Sequence, residues 1–241
     1  MEQVAGGRSL SSVSAVTGIG RATLRDWRDH GIEPQRTIAT CWVCSGVSPP
    51  TRPPEYAALL GFYLGDGCLS RTGSAHTLRA SCDQTYPGII ADVSSVILAV
   101  HPSSSVCLVS APGVKVVQNT WKHWPCLFPQ HGPGRKHERV LTLEDWQRVV
   151  VEEFPADFLR GLFHSDGCRS RNWARRMVAG EMKRYDYPRW QFVNNSEDIR
   201  RWCTEALDLV GVPWRASSWK TISVSTRAGV ARLDELIGLK S

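Results

Sequence analysis

No run of about 18 apolar residues occurs in the chain, so nothing in it reads as a membrane-spanning helix. The N-terminus lacks the apolar core of a signal peptide. Cysteines are too few and too scattered, at 41, 44, 68, 82, 107, 126, 168 and 203, for a small disulfide scaffold. Reduced thiols and a cytoplasmic setting are therefore expected. Charged residues, 22% of the total, are ordinary in number, which argues against global disorder.

What is present is ample for folding. With 241 residues, ten Trp and a 42% hydrophobic fraction, the chain can build one large domain, or a domain plus a small module. Lys and Arg outnumber Asp and Glu by 29 to 23, a net charge of +6. That excess leans towards nucleic acid rather than an acidic small molecule.

Residues 8–35 read as a separate helical segment. Ser9 to Gly18 is a short amphipathic stretch, Ile19-Gly20 a turn, and Arg21 to His30 a second helix closed by Gly31. Ala22, Leu24 and Trp27 can face the first helix, leaving Arg21, Thr23, Arg25 and Arg28 outside. Two short helices around a Gly turn, the second basic, fit a helix-turn-helix that contacts phosphates and bases. Ser45 to Pro54 is a stiff, proline-rich linker whose last prolines mark a helix start. Just before it, Cys41 and Cys44 form a CxxC pair, half of a tetrahedral zinc site. No second CxxC or HxxxH follows at suitable spacing, and His30 is the neighbour that could contribute. Zinc at Cys41 and Cys44 is on this ground a minor expectation.

The strongest feature is a duplication. Gly61-Phe-Tyr-Leu-Gly65-Asp66-Gly67-Cys68 recurs as Gly161-Leu-Phe-His-Ser165-Asp166-Gly167-Cys168, one hundred residues on. Each copy leads into a polar turn, strand-like residues, an amphipathic helix, more strand-like residues and a closing helix. That is an α+β plan with antiparallel sheets, used twice.

Gly61 and Gly65 lie four apart on one helical face, as do Gly161 and Ser165. A helical Gly costs roughly 1 kcal/mol against Ala, so its use in both copies suggests that the two helices touch backbone to backbone across a pseudo-twofold axis. Each Asp then sits at a helix C-terminus, before a Gly able to adopt the left-handed cap. Two carboxylates at two negative helix ends repel, and a cation between them relieves it. Oxygen-only ligands, the Asp66 and Asp166 carboxylates with the carbonyls of Gly65 and Ser165, suit Mg²⁺, which also binds phosphate oxygens. On the order of two or three divalent ions would equip the site for phosphodiester hydrolysis.

These residues resemble the LAGLIDADG homing endonucleases of the single-chain, two-motif type, over about residues 53–240. The resemblance implies two αββαββα halves whose sheets form a saddle over the DNA major groove. It implies a monomer with internal pseudo-twofold symmetry acting on double-stranded DNA. It also implies that Asp66 and Asp166 hold metal at the scissile phosphates. A Lys near the fourth strand is a further feature of that family, and the similar position here is Lys136. Such a residue steadies transition-state charge or activates water, or else only contacts phosphate. Its second-half counterpart is Lys220 or Arg227. The expected organisation is a helix-turn-helix-like module (1–40), a CxxC and proline-rich linker (41–54), and two halves (55–154 and 155–241).

Arg169, Arg171, Arg175, Arg176, Lys183, Arg184 and Arg189 cluster after the second motif, interleaved with Trp173, Tyr185, Tyr187 and Trp190. A two-stranded ribbon of this composition can enter a major groove. The equivalent stretch of the first half, Ser70 to Asp83, is shorter and less basic. The motifs are loose, with Phe-Tyr-Leu and Leu-Phe-His where small aliphatics are usual, and His164 is unexpected. The alternative to an endonuclease is therefore a transcription regulator that uses the same fold only to bind DNA.

Overall fold

A computed structural model describes residues 9–30, 41–44, 46, 50, 52–102 and 104–241. The rest of the 1–40 module including Gly31, the side chain of His30, and most of the 45–51 stretch lie outside the described residues. The chain divides into two compact units, 1–40 and 41–241.

In the first unit, α1 (Leu10–Thr17) begins where the Ser9 hydroxyl accepts from the Ser12 N–H at 3.2 Å. It ends at Gly18, whose φ of 70° gives the left-handed cap. Helix α2 (Arg21–His30) buries Leu24 and half-buries Trp27. Ala22, expected to face the first helix, is exposed, because the contact narrows to Val13 and Leu24. Arg21, Thr23, Arg25 and Arg28 are exposed as well, Arg28 pairing with Asp29 at 2.8 Å.

The second unit carries the repeat. Its first half runs α3 (Pro53–Leu64), β1 (Gly67–Thr72), β2 (Ala75–Asp83), α4 (Pro87–Val100), β3 (Cys107–Ala111), β4 (Val114–Trp121), the short α5 (Trp124–Leu127) and α6 (Asp145–Glu153). The second runs α7 (Pro155–Asp166), β5 (Gly167–Val178), β6 (Glu181–Val193), α8 (Glu197–Leu209), β7 (Arg215–Ser218), β8 (Thr221–Val224) and α9 (Arg227–Ile237). The two antiparallel sheets share one order, β1-β2-β4-β3 and β5-β6-β8-β7. This is the expected α+β architecture of two matching halves. The basic stretch after the second motif is the long hairpin of β5 and β6, with β6 beginning at Glu181. Its outer part is a free ribbon with no buried face, so it lacks the apolar alternation that marks a strand.

Helices α3 and α7 form the seam. Tyr56 to Leu64 are all buried, as are Phe158, Leu159, Gly161, Leu162 and Phe163. A Cβ on Gly61 would stand 2.8 Å from the Leu162 nitrogen and 2.9 Å from the Gly161 Cα. One on Gly161 would stand 2.7 Å from the Phe62 nitrogen and run into the Ala58 carbonyl. Both neighbours are backbone and cannot turn away. Gly161→Ala is therefore expected to cost about 3 kcal/mol or more, the upper range for overpacking, in urea unfolding. A loss below about 1 kcal/mol would contradict this packing.

Gly67 and Gly167 follow another logic from the one expected. Gly167 is extended at φ −89°, and Gly67 is not left-handed either. They are small because their strands start against the preceding helix. A Cβ at Gly67 would meet the Tyr63 backbone, and one at Gly167 the Phe163 backbone.

A buried polar knot holds the long β4–α6 connection. The Tyr56 hydroxyl donates to the Leu127 carbonyl at 2.6 Å. Gln147 Nε2 donates to that hydroxyl at 2.7 Å, and Gln130 Nε2 to Gln147 Oε1 at 2.6 Å. These partners fix the root of a loop whose far part, the 3₁₀ turn Lys136–Glu138, reaches the seam. Across the seam, Arg160 of α7 pairs with Asp92 of α4, and within its own helix it pairs with Asp157 at 3.2 Å.

Candidate functional site

The motif helices end side by side. Asp166 is the last residue of α7, and Asp66 lies one residue beyond the cap of α3. A Cβ on Gly65 would collide with Ser165 and stand 3.4 Å from Asp166 Oδ2, so only Gly there lets the two ends meet. Asp166 is pushed up to about 6, by desolvation and then by the Asp66 charge, against the Asn194 hydrogen bond and Lys136. Asn194 Nδ2 donates to Asp166 Oδ2 at 2.6 Å. Asp66 is open to water on its outer edge but enclosed by protein behind; desolvation raises its pKa, with Lys136 and Lys240 opposing.

Lys136 reaches this point from the loop. Its ammonium donates to the carbonyls of Leu64 at 2.8 Å, Gly65 at 2.9 Å and Gly67 at 2.9 Å, and to that of Tyr63. A positive group at the negative end of a helix dipole is favourable. Burial lowers Lys136 to about 8, with Asp166 and then Asp66 opposing.

The corresponding position on α7 is taken by a residue that sequence reasoning missed. Lys240 Nζ donates to the Ser165 carbonyl at 3.3 Å, and Asp66 and Asp166 both act on its charge. The tail is held there because Ser241 O accepts from the Gly88 N–H at 2.7 Å and the Ile89 N–H at 3.3 Å, at the start of α4. A lone Lys beyond the last helix carries no sequence signal. Lys220 stands in the β7–β8 turn, its Nζ 5.7 Å from the Trp219 ring. Arg227 opens α9 and lines a separate groove with Arg176 and Tyr185.

Two clefts open beside the seam. The larger, about 540 Å³, is lined by Gly65, Lys136, Asp166, Asn194 and Lys220. The smaller, about 190 Å³, is lined by Asp66, Cys82, Asp83, His164, Ser165 and Lys240. His164 is explained by packing: its side chain is 8% exposed, with Nδ1 4.0 Å from Asp92 and Nε2 3.5 Å from the Gly238 carbonyl. The donors nearest the meeting helix ends are oxygens, two carboxylates and the helix-end carbonyls, which suits a hard divalent cation, while Asn194 presents its Nδ2 to Asp166 and keeps its Oδ1 on the Ser196 N–H. The carbonyls of Gly65 and Ser165 are already engaged by Lys136 and Lys240, so a cation would rest chiefly on the carboxylates.

No family model matches the chain, and no curated protein matches it. Solved structures do. I-DmoI in complex with DNA and Mn is similar with a TM-score of 0.50 and 14% identity, over 78% of this chain and 98% of that one. The chain has the LAGLIDADG fold. Two further solved LAGLIDADG structures are similar. The N-terminal LAGLIDADG domain of DUF199/WhiA has a TM-score of 0.46 and 13% identity over 80% and 86% of the two chains. The LAGLIDADG meganuclease I-AabMI bound to uncleaved DNA has 0.43 and 13% over 76% and 82%.

The register of the LAGLIDADG sheets sorts the basic residues. Trp190, Phe192, Ile222 and Val224 share the face of the second sheet that packs on the helices. By alternation the opposite face carries Ser170, Asn172, Arg176, Lys183, Tyr185, Tyr187, Arg189 and Gln191. Asn172 Nδ2 donates to the Tyr187 hydroxyl at 2.8 Å, and Arg189 donates to Gln191 Oε1 at 2.6 Å. Arg169, Arg171, Arg175 and Arg184 lie on the core side. Arg169 forms a two-pronged pair with Asp234 at 2.7–3.1 Å, while Arg175 and Arg184 stand over the Trp173 ring. The outer face of the first sheet is mostly uncharged, with Ser70, Thr77, Gln118 and Thr120 around Arg79.

Proposed function

We propose that the protein is a site-specific double-strand DNA endonuclease whose paired aspartates hold divalent metal, Mg²⁺ for preference, at the scissile phosphates. What carries the reading is the meeting of two carboxylates at two adjoining helix C-termini, an arrangement that costs stability and serves no packing purpose. Metal bound there would lower the pKa of a water and neutralise charge on the phosphates. Asp66 and Asp166 would hold and orient it. Lys136 and Lys240, one at each helix end, are placed to counter phosphate charge. The chain would act as a monomer, its two halves taking the two DNA strands, and the α1–α2 pair would add a second DNA contact through Arg21, Thr23, Arg25 and Arg28.

The groove-facing residues give a test of DNA binding. Arg176→Ala, Lys183→Ala and Arg189→Ala are each expected to weaken binding by about 1–3 kcal/mol, with a shallower salt dependence where a phosphate contact is lost. Arg169→Ala is expected to cost folding stability instead, since its partner is Asp234. Equal binding losses for Arg169 and Arg176 would contradict the face assignment.

One observation favours the regulator reading. Lys136 and Lys240 already supply positive charge to both helix ends, so the fold stands without metal. Cleavage decides between the two. Duplexes selected by binding from a randomised pool are incubated with Mg²⁺ or Mn²⁺. Metal-dependent double-strand breaks by the wild type, absent in Asp66→Asn and Asp166→Asn, support the endonuclease. Selected duplexes recovered uncut with either metal sink it in favour of the regulator.

A further inference from the structure

A second group of ligand-type side chains converges away from both clefts. Cys41, Cys44, His123 and Cys126 bring one ligand atom each within 4.8 Å of one another. Cys44 Sγ lies 3.4 Å from His123 Nδ1 and 3.4 Å from Cys126 Sγ, and Cys126 Sγ lies 3.8 Å from His123 Nδ1. A zinc tetrahedron with Zn–S of about 2.3 Å and Zn–N of about 2.0–2.1 Å has edges of about 3.8 Å (S to S) and about 3.6 Å (S to N). The separations among Cys44, His123 and Cys126, 3.4, 3.4 and 3.8 Å, lie near those edges, and Cys41 brings its sulfur within 4.8 Å of the other three atoms. We propose that these four residues form a structural zinc site.

The sequence carried only half of this in plain view. The partner of the Cys41–Cys44 pair is a His-x-x-Cys pair 79 residues further on, counted from Cys44 to His123, rather than a second CxxC. Each pair sits on its own turn. Gly46 takes φ 70° and donates its N–H to the Val43 carbonyl at 3.2 Å, leading the chain out of the first turn. His123 precedes α5, and its carbonyl accepts the Cys126 N–H at 3.0 Å. Three thiolates and one imidazole are soft and borderline donors, which select zinc over the hard cation suited to the aspartates. Four protein ligands leave no open position, so the site is structural rather than catalytic. A disulfide would use two of the four and leave the other two aimed at it without a role.

The placement shows what the zinc would do. Trp42, between the two cysteines, is buried edge-on against Tyr56 of α3 at 5.7 Å and Trp146 of α6 at 4.8 Å. His123 and Cys126 stand at the root of the loop that delivers Lys136. Zinc would thus tie the segment leading into the first motif helix to the base of that loop. This inference stands whether or not the seam cuts DNA.

Elemental analysis of the full chain, purified without chelator or added metal, is expected to find about one zinc per chain. A Cys44→Ser, Cys126→Ser variant is expected to hold less than about a tenth of that, while Cys107→Ser keeps it. Should the double variant not fold, the wild type still answers. Cobalt exchanged into it is expected to show the intense visible absorption of a tetrahedral thiolate site, and zinc-edge X-ray absorption a shell of three sulfurs and one nitrogen. Wild type without zinc after reconstitution under reducing conditions, a Cys44–Cys126 disulfide in freshly purified protein, or iron in place of zinc would each overturn the proposal.

Discussion

Asp166→Asn is expected to end cleavage and, at neutral pH, to make the protein more stable. Asp166 titrates near 6 in the folded chain against an ordinary value of 3.8. Its raised value means that the folded state binds the proton more tightly than the unfolded state. Above about pH 6 both states are ionised and the folded state bears the full penalty. As pH falls from about 6 to about 4 the folded state takes up its proton first, and the penalty disappears. The amide carries no charge at any pH, so the variant should gain about 1–3 kcal/mol over wild type at pH 7.5. At pH 4 the gain should vanish. Urea unfolding at the two values measures it. A variant less stable than wild type at pH 7.5 would mean that Asp166 is held by its partners for structure. The loss of cleavage should exceed about a thousandfold, in line with removal of a ligand that holds the metal activating water and neutralising phosphate charge.

Lys136→Met is expected to be the most damaging change among the charged groups at the seam. It strips the Tyr63, Leu64, Gly65 and Gly67 carbonyls of their shared donor and takes a positive charge from beside Asp166. Hydrogen bonds to a charged group contribute about 1.5–3 kcal/mol each and are not additive, so a net loss of about 2–4 kcal/mol follows. Lys240→Met, which gives up one 3.3 Å bond, should cost about 1 kcal/mol or less. Cleavage by the wild type should weaken below about pH 6, where Asp166 takes a proton, and above about pH 8, where Lys136 loses one. Lys136→Arg keeps its charge at high pH, and the alkaline decline should move outward if that charge is what matters. Equal stability losses at Lys136 and Lys240 would contradict the unequal capping of the two helix ends.

Much of this site was legible in the chain because its cause is local. The glycines at 61 and 161 stand on one helical face in each copy, and only close approach explains both. The terminal Asp follows by register. Lys136 was reached through the family resemblance and then found on the carbonyls of the first motif helix. Lys240 was not reachable, since it arrives from a tail whose position depends on Ser241 meeting the start of α4. The zinc ligands were half legible, because His123 and Cys126 join Cys41 and Cys44 only through the tertiary path of the chain. The basic ribbon was visible as composition but not as a surface. Which arginines face outward depends on pairing Arg176 with Lys183 and Ser170 with Arg189, and a one-residue slip would reverse them.

The central claim is that Asp66 and Asp166 together hold divalent metal on DNA. Mn²⁺ bound to the protein–DNA complex, counted by electron paramagnetic resonance at pH 8, tests it without needing turnover. The wild-type complex should bind Mn²⁺ that the Asp66→Asn, Asp166→Asn complex does not, and lowering the pH to 5 should release it. Equal Mn²⁺ in the two complexes would contradict the account.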